Sequence, residues 1–120
     1  MITPSAVAWA IATGADFVNT ARGFMFALGC IQALQCNKNT CPTRITTHNK
    51  KLQRGLIPDV KSVRVANYHQ AVTYGVGVIV HSCGVKSPRE LKREHVRMVM
   101  ENGLSLALDE LYPEAVKIVD

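Results

Sequence analysis

The chain has 120 residues, 48% of them hydrophobic and 19% charged, and a formal net charge of +5. This composition excludes a disordered or fibrous protein and allows one modest core, whereas a complete (β/α)8 barrel needs roughly 200–250 residues. The seven aromatic residues do not interleave with the basic clusters at 48–51 and 89–97, so no nucleic-acid partner is expected.

Residues 1–15 are apolar and small, yet they carry no Lys or Arg, and Thr3-Pro4-Ser5 interrupts them, which does not fit a signal peptide. No apolar run approaches the ~20 residues of a membrane span. The expected location is the cytoplasm, with no membrane partner. In that reducing compartment, clustered cysteines mean metal or redox chemistry more often than disulfides.

Thr3-Pro4-Ser5 ahead of Ala6–Ala12 predicts a capped helix with Pro4 in its first turn and Gly14 ending it. Asp16–Thr20 has the length and β-branched content of a short strand, with Ala21-Arg22-Gly23 as the following turn. From Phe24 to Gln35, Met25, Leu28, Ile31 and Leu34 recur at helical spacing, which places Cys30 near the middle of a second helix, Cys36 at its exit and Cys41 in a loop. A third helix is expected from Asp59 or Ser62 through Val72; periodicity leaves open whether it continues through Tyr74–Val80, which looks locally more like a strand and whose Gly75 and Gly77 each cost a helix ~1 kcal/mol against Ala. Ser87-Pro88-Arg89-Glu90 has the pattern of a capping box and predicts a helix to about Glu101, ended by Asn102-Gly103. Leu104–Leu108 alternates weakly.

The chemistry is concentrated in Cys30-x5-Cys36-x4-Cys41-Pro42, three thiols within twelve residues. Soft thiolates at such spacing suit zinc or an iron–sulfur centre. Zinc sites prefer two to four residues between paired ligands, which Cys36-x4-Cys41 only just allows, with His48 as a fourth ligand. The spacing favours iron–sulfur, and three ligands match a cluster that lacks one iron. Cys83, forty-two residues beyond Cys41, reads as a small buried hydrophobe, with a further cluster ligand as the alternative.

Gly14-Ala15-Asp16, Ala21-Arg22-Gly23, Leu28-Gly29-Cys30-Ile31-Gln32-Ala33, Gln35-Cys36, Asn39-Thr40-Cys41-Pro42 and Thr46-Thr47 together resemble the synthase-domain segment of FMN-binding glutamate synthase family proteins. The resemblance covers residues 1–70 and extends towards 112. It implies an α/β fold: the C-terminal fragment of a (β/α)8 TIM barrel, mostly helical within this chain. On this view residues 1–120 are a partial FMN-dependent domain, with an iron–sulfur segment at 30–41 and a C-terminal helical extension from about 60.

The same resemblance implies that Cys30, Cys36 and Cys41 bind a 3Fe-4S cluster. That cluster relays electrons to FMN for reductive formation of L-glutamate from 2-oxoglutarate and a glutamine-derived amino group. Thr20, Ala21 and Arg22 would hold the FMN phosphate at the end of the last barrel strand, and no catalytic residue is assigned. The implied partners are the remainder of the barrel and an electron donor, either ferredoxin or an NAD(P)H-dependent subunit.

Three departures from the family pattern stand out. Arg44 occupies a position where glycine is expected, and a side chain there would either crowd the cluster loop or require a backbone angle that only glycine accepts cheaply. Gly75 and Gly77 fall in an expected helix. The earlier barrel strands and the amidotransferase domain are not in the sequence, so the chain by itself is expected to bind FMN weakly and to make no glutamate. The alternatives are a small zinc-stabilised basic binding module and a non-catalytic fragment.

Overall fold

The computed structural model of the chain describes residues 2–113, which divide into two compact units. The first contains Ile2 with Asn19–Thr73, and the second contains Thr3–Val18 with the described residues from Tyr74 onward. Helix α4, Pro58–Ser82, is shared between them: its first part belongs to the first unit and its last part to the second.

In the first unit, α2 spans Ala21–Leu28 and α3 is a single turn, Lys50–Gln53. Helix α2 packs on the early part of α4. Gly23 is buried at this contact because the Tyr68 ring occupies the space its β-carbon would fill. The rings of Phe24 and Tyr68 meet edge to face at 5.1 Å and 83°, a favoured aromatic geometry. Tyr68 Oη donates to the Ile2 carbonyl at 2.9 Å and lies 3.4 Å from Thr20 Oγ1.

The predicted helix from Phe24 to Gln35 is shorter than its apolar spacing suggests. Gly29 adopts φ 104°, its amide donates to Phe26 O, and the Cys30 amide donates to Met25 O. These are the paired bonds of a Schellman cap, which ends a helix by satisfying its last carbonyls. Cys30 therefore lies just past the helix, and Ile31 and Leu34, read as part of its apolar face, are 67% and 84% exposed.

In the second unit, α1 spans Pro4–Ala12 as expected: Thr3 Oγ1 accepts from the Ala6 amide at 3.3 Å, Pro4 opens the first turn, and Gly14 follows at φ 115°. Ala8, Ala10 and Ala12 are buried with Val76 and Val80 of α4 and with Leu91, Ala107 and Leu108. Gly75 lets Pro4 approach, since a β-carbon there would lie 2.6 Å from Pro4 Cγ.

Two further expectations are corrected and one open alternative is decided. Asp16–Thr20 is not a strand, because no neighbouring chain segment among the described residues supplies a ladder. Tyr74–Val80 is helical and continuous with α4, so helical packing outweighs the two glycines. The capped segment after Ser87 is only one 3-10 turn, Pro88–Glu90. Ser87 does cap it, accepting from the Arg89 amide at 3.3 Å, but the Glu90 carboxylate accepts from the Lys86 amide at 3.2 Å.

At Leu91 the backbone turns extended and the side chain is buried. A second 3-10 turn, Arg93–His95, leads to β1, Arg97–Val99, paired antiparallel with β2, Ser105–Ala107. The Asn102-Gly103 pair read as a helix stop closes this hairpin, with Gly103 at φ 78° and Asn102 Oδ1 accepting from the Leu104 amide. A short helix α5, Leu108–Leu111, follows. The C-terminal extension is thus helical only in part, and residues 114–120 lie outside the described residues. The described chain is mostly helical with one two-stranded sheet, and none of its helices is long and apolar enough to cross a membrane.

Candidate functional site: the cysteine loop of the first unit

After the Gly29 cap the chain has no regular structure until α3, and residues 31–40 are all exposed. Gln32, Leu34, Asn39 and Arg44 have φ of 56°, 55°, 58° and 69°. Left-handed backbone at non-glycine residues is costly and tends to gather where a ligand or function constrains the chain. The expectation that Arg44 would need a glycine-like angle is met by its φ. Its guanidinium lies over Gly55, in the space a β-carbon would occupy there.

The loop is tied down on the side of α3 by Thr47, which is buried although polar. Its hydroxyl donates to Asn39 O at 2.8 Å, with Asn39 Oδ1 at 3.0 Å, and accepts from the Asn49 amide at 3.1 Å. Asn39 Oδ1 also accepts from the His48 amide at 2.6 Å, and Gln53 Nε2 donates to Thr47 O at 2.7 Å. Buried polar groups are stable only when paired in this way.

All four cysteines are free thiols. Cys30 Sγ accepts from the Gln32 amide at 3.4 Å. Cys41 is buried and its Sγ lies 3.4 Å from Thr43 Oγ1. The Thr43 hydroxyl, then the amide and hydroxyl of Thr46 and the Ile45 amide, favour the anion against the opposing effect of burial and lower the Cys41 pKa to about 6. Hydrogen bonds to the charged form are what stabilise a thiolate. Thr46 Oγ1 is buried without a hydrogen bond of ordinary geometry, so its part in this environment is one of proximity.

Two clefts border the loop. One, of about 450 Å³, is lined by Ala21, Arg22, Cys30, Gln32 and Cys36 among others. It brings together two of the three predicted phosphate-binding residues, at the N-terminus of α2, and two of the three predicted cluster ligands. Thr20 is the N-cap residue of α2, beside Tyr68. The second cleft, of about 480 Å³, is lined by Cys36, Thr46, Thr47 and His48 among others. Cys41 lines neither, and among the described residues no three His, Cys, Asp or Glu side chains stand together as a metal-holding group. Cys83 lies in the second unit, in a cleft with Trp9 and His95.

The sequence reading missed Thr43, Thr46 and Thr47 as members of the site. Their one visible signal was three threonines within five residues of a Cys-Pro pair, two of them, Thr46-Thr47, part of the family resemblance.

Comparison with known proteins gives the family of the chain. Residues 1–86 match the conserved region in glutamate synthase, and the chain belongs to that family. It is 41% identical over 116 residues to the glutamate synthase large subunit-like protein YerD of Bacillus subtilis (strain 168), a match covering 97% of this chain and 22% of that protein. It is 32% identical over 108 residues to the archaeal glutamate synthase (NADPH) of Methanocaldococcus jannaschii, covering 90% of this chain and 21% of that one. A third relative, the archaeal-type glutamate synthase (NADPH) of Thermotoga maritima, is 32% identical over 92 residues, covering 75% and 18%. The chain thus spans about a fifth of the length of the curated relatives it matches. No solved structure gives a significant match.

Proposed function

We propose that this chain is the cluster-bearing segment of a glutamate synthase-type oxidoreductase, contributing a 3Fe-4S site and the phosphate end of an FMN site to a (β/α)8 barrel. The observation that carries this reading is the 450 Å³ cleft, where the opening of α2 meets Cys30 and Cys36 within the segment that matches the family.

The donor chemistry fits an iron–sulfur group. Sulfur ligands of such clusters are thiolates tuned by hydrogen bonds. Here Cys30 accepts an amide hydrogen bond, Cys41 is held towards its anion, and the buried Thr46 hydroxyl lies beside it. Cys30, Cys36 and Cys41 would hold the cluster, which supplies one-electron transfer when bound. Arg22 and the first amides of α2 would orient a phosphate by charge and by unsatisfied N–H groups. Residues 16–20 would become a strand once earlier barrel strands supply its ladder. The NADPH in two relatives' names favours a nicotinamide-linked electron donor over ferredoxin, and four free thiols suit the cytoplasm.

Anaerobic purification with iron and sulfide analysis tests the reading. A brown chain containing both, whose visible absorption disappears on Cys36→Ser, is expected. FMN titrated into the chain alone should bind weakly, because catalytic and cofactor residues of this fold come from several strands. Cys36 and His48 line the same cleft, which favours zinc as the second reading; a colourless chain with stoichiometric zinc would establish it.

A further inference from the structure

We propose that a cleft in the second unit is a binding site for a small carboxylate that carries one aromatic ring. The cleft measures about 350 Å³, within the range of small-molecule sites. Ala8 and Ala12, one turn apart on α1, line it; both are buried and too short to fill the space. Ile79 of α4, Cys83 just past its end, the buried Leu91 and Val96 add apolar lining. Trp9 also lines the cleft while 48% exposed. An aromatic guest would leave water there and meet the indole ring.

The polar lining is one-sided in charge. Arg97 and His95 belong to it, and no Asp or Glu does. Both side chains are held by bonds within the chain. The Lys92 amide donates to His95 Nδ1 at 2.9 Å, so the ring proton sits on Nε2 and makes that atom a donor. Arg97 Nε donates to Ser105 Oγ at 3.0 Å and Nη2 donates to Ser105 O at 2.6 Å, which fixes the guanidinium on a neutral partner. Among the described residues the one ion pair is Lys92–Glu94, so the charge of Arg97 is not matched by a carboxylate.

Donors fixed in advance bind an anion without the cost of ordering a free side chain. A carboxylate can use both the charge and the hydrogen bonds. An alcohol uses the hydrogen bonds alone, and an amine meets a cation. All the lining residues lie in the second unit, so the site does not depend on the reading of the cysteine loop.

The test titrates the purified chain with 3-phenylpropionate, 3-phenylpropanol and 3-phenylpropylamine. Trp9 is the sole tryptophan, so its indole N–H gives one NMR resonance that reports on the cleft. A saturable shift with the carboxylate is expected at about 1 mM or below, about tenfold or more weaker with the alcohol, and none with the amine. Arg97→Gln should remove most of the preference for carboxylate over alcohol without changing the affinity for the alcohol, and Arg97→Lys should restore part of it. Arg93→Gln should alter neither ligand, because that guanidinium bonds to Tyr112 O and does not line the cleft. Alkylation followed residue by residue should slow at Cys83 when the carboxylate is present and stay unchanged at the exposed Cys36. The proposal is overturned by no saturable shift up to ~10 mM carboxylate, by an amine that binds as tightly, by equal loss of both ligands in Arg97→Gln, or by equal protection of the two thiols. A ligand-free chain that sediments as a dimer with Cys83 unreactive would give the cleft to a second copy and overturn it as well.

Discussion

The guanidinium of Arg44 lies over the α-carbon of Gly55, so one residue held at φ 69° is packed against another that has no side chain to obstruct it. The two positions depend on each other, and Arg44 meets the cost of a left-handed backbone.

Arg44→Gly removes that cost and is expected to raise stability by about 0.5–1 kcal/mol, read from the midpoint of chemical unfolding. Gly55→Ala alone displaces the Arg44 side chain, and the same change made in the Arg44→Gly background should be tolerated better. Additive effects of the two substitutions would show that the contact carries no energy.

The Cys41 thiol gives the metal-free chain a pH dependence. Its pKa falls from 9.0 unfolded to about 6 folded, so the unfolded state binds more protons between those values and stability rises with pH across that window. The contribution is full above pH 9.0 and is lost as the pH falls through about 6. Unfolding curves across this range should show the slope in the parent chain and not in Cys41→Ala. An unchanged slope in the variant would assign it to another group.

Two glycines of α4 should respond in opposite directions. Gly77 has nothing within 4 Å of where a β-carbon would sit, so Gly77→Ala should stabilise the helix by about 0.5–1 kcal/mol. At Gly75 the same carbon would lie 2.6 Å and 2.9 Å from two atoms of Pro4, and the rigid ring has little room to yield. Gly75→Ala is expected to lower the melting temperature; a rise at both sites would show that α1 does not depend on the close approach.

Gly23→Ala pushes a methyl group into the Tyr68 ring, which is itself fixed by Phe24 and by the Ile2 carbonyl. Overpacking of this kind costs about 1–3 kcal/mol. Pairing it with Tyr68→Ala, which opens the space, should recover part of the loss, and thermal unfolding of the single and double variants measures how much.

Where local chemistry decides structure, the sequence was readable. Thr3, Pro4 and Gly14 bound α1 as their residue types require, and Ser87 caps the turn it introduces. The extent of elements was harder to see. Met25, Leu28, Ile31 and Leu34 keep helical spacing straight across Gly29, so the pattern gave no sign of the break. Arg97–Val99 enters a hairpin that depends on a return strand and on Asn102-Gly103 closing a turn that can equally end a helix. In the candidate site the cysteine spacing was plain, whereas Thr43, Thr46 and Thr47 gain their roles only once the loop folds back on itself and on α3.

The Schellman cap at Gly29 has a chemical consequence. Had the helix run on, Cys30 and Cys36 would sit six residues apart on one rod, separated by ~9 Å along the axis and about 120° around it. Two thiols so placed look away from each other and cannot line one cleft. The backbone handedness of a single glycine thus decides whether these two cysteines can line one cleft.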